Sequence, residues 1–339
     1  MKSIVFFNNK GGVGKTTTVY HLAWMFSEMG YRVLAVDLDP QSNLSSMFLT
    51  GERMETAVMD EGARLTILDA IVPVSEGEGY RPVHIEAIDD RISLLIGNLA
   101  LSAFEDKLSD AWIKCLGKDI FAFKVSSVFK TLIEDAATRC GADWVLIDVG
   151  PNLGAINRAV LIATDFVIMP LAADLFSLQG MVNLGKTLGE WGEQWQKRLQ
   201  EYPRPDKSAI PAGGMRPIGY LLMQYTSRES RPVRSYIRWA EKIPEVFRKA
   251  VLQQPNPVEV PSVDSDPYCL ALLKHYHSLA PMSMEARKPI FQLKPADGAI
   301  GAHVQAVQRS YMDFEGLAKR ILEATGAENS GHGETSSNT

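Results

Sequence analysis

The sequence has 339 residues, 46% of them hydrophobic, enough for one large domain or two smaller ones. Its net charge of −5 excludes a protein that is basic overall, so any nucleic-acid surface must be local. Cys115, Cys140 and Cys269 form no CxxC pair, which argues against a disulfide scaffold or structural zinc. The opening apolar run turns polar at Asn8, and no run reaches the ~18–20 residues of a membrane span, so a cytoplasmic protein is expected.

Residues 3–7, "SIVFF", are short, β-branched and aromatic and predict a buried strand. Residues 16–29 predict a helix, with Leu22, Ala23, Phe26 and Met29 at helical spacing and Gly30 closing it. "RVLAVDLD" (32–39) predicts a second strand, "LTILDAIV" a helix, and "RISLLIGN" (91–98) a third strand. Helices are predicted over 100–112 and 121–139. A strand follows at "ADWVLIDVG" (142–150), then a helix over 155–163, the strand "DFVIMPL", and a long helix over 175–199. The strand "RPIGYLLMQY" (216–225), a helix over 232–251 and a closing helix over 303–325 complete the pattern. Apolar strands alternating with helices imply an α/β fold, a mostly parallel twisted sheet with helices on both faces. Residues 1–326 are expected to form one domain. Proline- and glycine-rich insertions are expected at 202–217 and 253–302, and a disordered polar tail at 327–339.

Between the first strand and the first helix lies "NNKGGVGKTTT" (8–18). Its "GGVGKTT" matches the glycine–lysine–threonine end of G-x-x-x-x-G-K-[ST]. In such a loop the backbone N–H groups, here of Gly11, Gly12, Val13, Gly14, Lys15, Thr16 and Thr17, turn toward phosphate oxygens with no Cβ in the way. Lys15 reaches the β- and γ-phosphates, the Thr16 hydroxyl is an Mg²⁺ ligand, and the helix dipole adds to the attraction. Downstream, "WVLIDVG" is an apolar strand ending in Asp148. That is the Walker B arrangement, in which the carboxylate emerges at the C-terminal edge of the sheet and holds Mg²⁺ through a water. The expected cofactors are therefore ATP and Mg²⁺.

Lys10, ahead of the glycines, is a second ammonium in the same loop. "KGGVGKTT", "VDLDPQSN" and "LIDVGPNLG" resemble the deviant Walker A P-loop ATPases of the ParA/MinD/Soj group, and ParA-type partition ATPases above all. The resemblance covers residues 1–195 moderately, and 216–250 and 303–325 more weakly. It implies that two subunits close around two ATP molecules, each sending Lys10 to the other's phosphates. A cation arriving from outside the site suits the charge of a transferring phosphoryl group. The resemblance also implies that Asp39 orients the attacking water, that Asp37 supports the Mg²⁺ shell, and that Gln224 and Tyr225 stand near the adenine. Two features depart from the family pattern. Gly150 replaces the first proline of the usual D-x-P-P, and no "R-x-S-E-A-P-S-x-G" segment is present.

Partners follow from the same resemblance: a homodimer on ATP binding, a stimulating partner protein, ParB-like or other, and DNA bound without sequence preference. Arg231, Arg234 and Arg238 fall at i, i+3, i+7, which on a helix is one basic face suited to phosphates. The closing helix carries Glu315 and Glu323, which disfavours membrane binding. No helix-turn-helix stretch precedes the loop, so operator binding is not expected, and no cysteine pair suits a bridging iron–sulfur cluster. The leading expectation is an ATP-driven dimerisation switch for DNA partition or cargo positioning. The alternative is a regulatory ATPase of the same type gating a partner protein complex in a mobile-element or defence system. A metabolic enzyme of this fold, such as an amidoligase, ranks third.

Overall fold

The computed structural model describes residues 1–327 except 61, 226, 229–230, 233–237, 257–261, 275 and 277; over 224–232 only strand backbone is described, and side chains again from 238. The strands are β1 (Lys2–Phe6), β2 (Val33–Leu38), β3 (Glu86–Asp89), β4 (Ile92–Leu95), β5 (Trp144–Val149), β6 (Phe166–Leu171), β7 (Arg216–Tyr225), β8 (Ser227–Arg228), β9 (Arg231–Pro232) and β10 (Cys269–Lys274). The first nine α-helices are α1 (Lys15–Glu28), α2 (Asn43–Phe48), α3 (Gly51–Met59), α4 (Ile67–Ser75), α5 (Phe104–Lys114), α6 (Ile120–Ser126), α7 (Val128–Cys140), α8 (Ala155–Ala163) and α9 (Leu175–Glu201). Eight strands form one sheet in the order β10-β7-β6-β1-β5-β2-β4-β3, parallel throughout except for the β3–β4 edge pair.

The central strands are apolar on both sides because both sides are covered. Along β1 and beyond, Val5 and Phe7 enter one core with α4–α9, while Ile4 and Phe6 enter the other with α1 and the closing helix Ala302–Ala324. Period-two alternation therefore delivers two hydrophobic cores from one near-continuous apolar run. The mostly parallel sheet with helices on both faces is the α/β architecture expected from the sequence.

Several boundaries differ from expectation. The helix predicted over 121–139 is two, because Ser127 breaks the run between α6 and α7. The edge strand β3 and the short helices α2 and α3 are not among the elements predicted from the sequence. The segment 253–302 contributes β10, which extends the sheet beside β7. It is also tied to α1: the Ile290 N–H donates to His21 Nε2 (3.1 Å), so His21 carries its proton on Nδ1 and donates to the Thr17 carbonyl (2.7 Å). Burial holds that histidine neutral, with its pKa pushed down to about 4. The polar tail predicted at 327–339 lies outside the described residues, apart from Ala327.

Candidate functional site

The C-terminal ends of β1, β2 and β5 meet at one edge, and the glycine loop rises from β1. Gly12 (φ 72°) and Gly14 (φ 76°) adopt the left-handed backbone that makes a concave nest of N–H groups. A Cβ on Gly14 would also lie 2.5 Å from Met223 Cε on β7, so the Met223 side chain would have to move aside. The loop runs straight into α1, so the nest and the helix N-terminus converge. Lys15 is buried at its base, with Nζ donating to the carbonyls of Asn8 (3.2 Å) and Lys10 (3.4 Å). Burial lowers its pKa, against the pull of the Asp148 and Asp39 carboxylates. Val13 is buried beneath the loop, and Gly11 and Gly12 face solvent.

Asp37 and Asp148 are partners in register on the neighbouring strands β2 and β5, both with 0% exposure. Asp148 Oδ2 accepts from Thr16 Oγ1 at 2.7 Å, and Asp37 Oδ2 accepts from both the N–H and the hydroxyl of Ser45 at 2.7 Å. The other oxygen of each carboxylate, Oδ1, is buried with no partner. Burial raises both, Asp148 to about 8 with repulsion from Asp37 and Asp39 added and Asp37 to about 7 with repulsion from Asp39 added, while the Thr16 and Ser45 bonds work the other way. Gly97 allows the approach: a Cβ there would sit 3.0 Å from Asp37 Cγ. Asp39, just past β2, accepts from the Gln41 N–H (3.0 Å) and faces Gly150, whose added Cβ would lie 3.4 Å from Asp39 Oδ1.

Mg²⁺ can be tested against these residues. Two buried carboxylate oxygens without partners, beside a threonine hydroxyl, are a hard-oxygen donor set, and the raised pKa values record charge that a cation would relieve. The donors fit Mg²⁺, which takes one or two carboxylates and completes its shell with water and substrate phosphates.

Lys10 is held within its own chain. Its ammonium pairs with Asp174 (2.5 Å), which also caps α9 by accepting from the Ser177 N–H (2.8 Å). Burial opposes ionisation of Asp174, but the Lys10 and Ser177 bonds prevail and hold its carboxyl below the ordinary range. Around this edge Leu153, Leu175, Phe176 and Val182 are exposed, Phe176 at 73%.

The structure brings together Lys10, Lys15, Thr16, Asp37, Asp39 and Asp148. Gln224 and Tyr225 end β7, with Tyr225 opposite Lys274 of β10, and their side chains lie outside the description. The arginine face does not form as expected. Arg231 is on β9, paired antiparallel with Arg228, because the residue before Pro232 is driven to extended backbone. Arg234 lies outside the described residues, and Arg238 is exposed on the helical turn 238–240, its guanidinium over Trp239 at 5.1 Å. Three residues went unread in the sequence. Ser45 fixes Asp37, Asn157 donates to the Gly150 carbonyl (2.8 Å), and Glu105 meets the start of α8. The spacing of Ser45, eight residues after Asp37, is the one local signal among them.

Residues 1–201 match the profile of a family described as an AAA domain. Protein IncC of Escherichia coli is 33% identical over 189 residues, which are 56% of this chain and 46% of that protein. Chromosome-partitioning ATPase Soj of Thermus thermophilus is 30% identical over 190 residues, 56% of this chain and 62% of its own length. The chain thus spans about half to two thirds of these curated relatives. A solved structure of a Corynebacterium diphtheriae protein superposes with a TM-score of 0.69 at 25% identity, covering 96% of this chain and 99% of the other.

Proposed function

This chain belongs to the ParA-type family of partition ATPases, and on that premise we propose that it is an Mg²⁺-dependent ATPase working as a dimerisation switch, built as one domain over 1–326 and resident in the cytoplasm. The observation that carries this reading is the in-register Asp37–Asp148 pair, with two open oxygens beside Thr16 and below a nest of loop N–H groups. Lys15 and the N–H groups from Gly11 to Thr17 bind the phosphates, and Gln224 and Tyr225 border the adenine. Thr16, Asp148 and Asp37 would hold Mg²⁺, which when bound supplies positive charge to the β- and γ-phosphate oxygens. Asp39 accepts a hydrogen bond from the attacking water and aligns it. On closure, Lys10 leaves Asp174 for the phosphates of a second copy, and Leu153, Leu175, Phe176 and Val182 supply the apolar contact between copies.

Sizing by light scattering, without nucleotide and with ADP or ATP, tests the switch. Wild type should dimerise only with ATP, Asp39→Ala should hold the ATP dimer, and Lys10→Ala should not hydrolyse. A chain that stays monomeric with ATP yet hydrolyses it at full rate as Lys10→Ala would falsify the proposal. The ATP dimer is further expected to bind random duplex DNA through a surface that includes Arg238, with an affinity falling steeply with salt. No binding at low salt with ATP present would direct the switch to a partner protein complex instead.

A further inference from the structure

We propose that Glu105 is a positioning residue for hydrolysis, holding the loop 150–154 against the water-aligning Asp39 through the first turn of α8; this rests on the ATPase reading above. Glu105 lies fifty residues before Ala155 in sequence, on the first turn of α5. Its Oε2 accepts from the N–H groups of Ala155 (2.5 Å) and Ile156 (3.3 Å), two donors that a helix start leaves without intrahelical partners. The contact is close: a Cβ on Gly154 would lie 2.4 Å from Glu105 Oε1 and would displace the carboxylate. Two turns along the same helix, Trp112 stacks under the guanidinium of Arg158 (4.3 Å), so α5 grips α8 at both its backbone and a side chain. Burial, then the charge of Arg198, lowers the Arg158 pKa to about 10, and the Glu105 carboxylate works against both.

That turn of α8 carries Asn157. Its side-chain amide donates to the carbonyls of Gly150 (2.8 Å) and Asn152 (2.7 Å) and so sets the loop's path. Gly150 in turn faces Asp39. The connection runs from Glu105 to the Ala155 and Ile156 amides, to Asn157, to Gly150, and there it reaches the carboxylate that aligns the water. With Gly150 where a proline would stiffen the chain, the path of this loop depends on such outside anchors.

The test uses Glu105→Ala, Glu105→Gln and the control Asp106→Ala, on an exposed neighbour in the same turn. In the nucleotide-free protein, amide exchange over 150–156 should accelerate about tenfold or more in Glu105→Ala and stay unchanged in Asp106→Ala. In hydrolysis, Glu105→Ala should lose about 10–100-fold in kcat with KM for ATP within threefold, the signature of misalignment rather than lost binding. Glu105→Gln should recover most of that loss, because its amide oxygen can accept the same two N–H bonds. Unchanged exchange overturns the proposal. So does a wild-type kcat in Glu105→Ala, or a parallel loss of kcat and affinity that Glu105→Gln does not rescue. A wild-type protein that cleaves no ATP would instead sink the ATPase reading, while the exchange measurement judges the clamp without nucleotide.

Discussion

Asp148 and Asp266 are almost equally hidden, at 0% and 2% exposure, yet their surroundings are opposite. Asp266, on the flank beside β7 and β10, has both oxygens engaged. Oδ2 accepts from Tyr220 Oη (2.6 Å) and Arg248 Nη1 (3.1 Å), and Oδ1 from Arg248 Nη2 (2.6 Å) and the Tyr268 N–H (3.1 Å). Asp148 has one neutral donor, Thr16, and one oxygen with none. A buried charge that is fully paired belongs to the architecture, whereas one left half-paired marks where something from outside must bind. The flank fastens the edge of the sheet. The nucleotide edge is kept short of partners so that a cation and phosphates can supply them.

The contrast can be broken at either end. Arg248→Ala leaves the Asp266 charge buried without its cation, with only the Tyr220 and Tyr268 bonds remaining, and should cost about 3–5 kcal/mol of stability. Denaturant titration should show that loss, with the nucleotide affinity of the folded protein unchanged; a loss below ~1 kcal/mol would remove the flank's structural role. Lys15→Ala should do the reverse. ATP turnover should drop about 10²–10³-fold, equivalent to about 3–4 kcal/mol in the barrier, while the melting temperature holds or rises because a desolvated ammonium has gone.

The acid pair also makes stability depend on pH. Asp37 and Asp148 have folded pKa values raised to about 7 and about 8, well above the ordinary value of 3.8. Between pH ~4 and ~8 the folded state therefore binds more protons than the unfolded state, and the stability these groups contribute falls as pH rises. Thermal melts of the metal-free protein should descend across that window and level off above it. Asp148→Asn should flatten the descent and also remove stabilisation by Mg²⁺; an unchanged slope would mean that the acid pair is not desolvated as described. The smallest effect is expected for Tyr220→Phe, which removes one of four bonds to Asp266. It should cost about 1–2 kcal/mol in denaturation and leave ATP turnover untouched.

The sequence made the sheet's centre and the phosphate loop legible for one reason: both are written in contiguous residues. β1, β2, β5 and β6 are mostly apolar runs, and the "GGVGKTT" chemistry is complete within seven positions. β10 was unreadable because "CLALLK" is poor in β-branched residues and lies among prolines, so only pairing with β7 makes it a strand. Arg231 was read on a helix because its spacing to Arg238 is helical, but Pro232 overrides the period. Glu105 is an ordinary polar residue whose use depends on contacts made only after folding, with amides fifty residues on, and no local pattern announces it; for Ser45 the spacing from Asp37 is the sole local sign.

β1 lies between β5 and β6, both of which come later in the sequence. On the ribosome the phosphate loop is made well before the strands that flank its base, which end at Val149 and Leu171. At roughly 5–20 residues per second the loop waits on the order of ten seconds or more before its neighbours exist. During that interval its glycines and lysines hang on an unpaired apolar strand, so the nascent chain is most exposed to misassembly before it can bind any nucleotide.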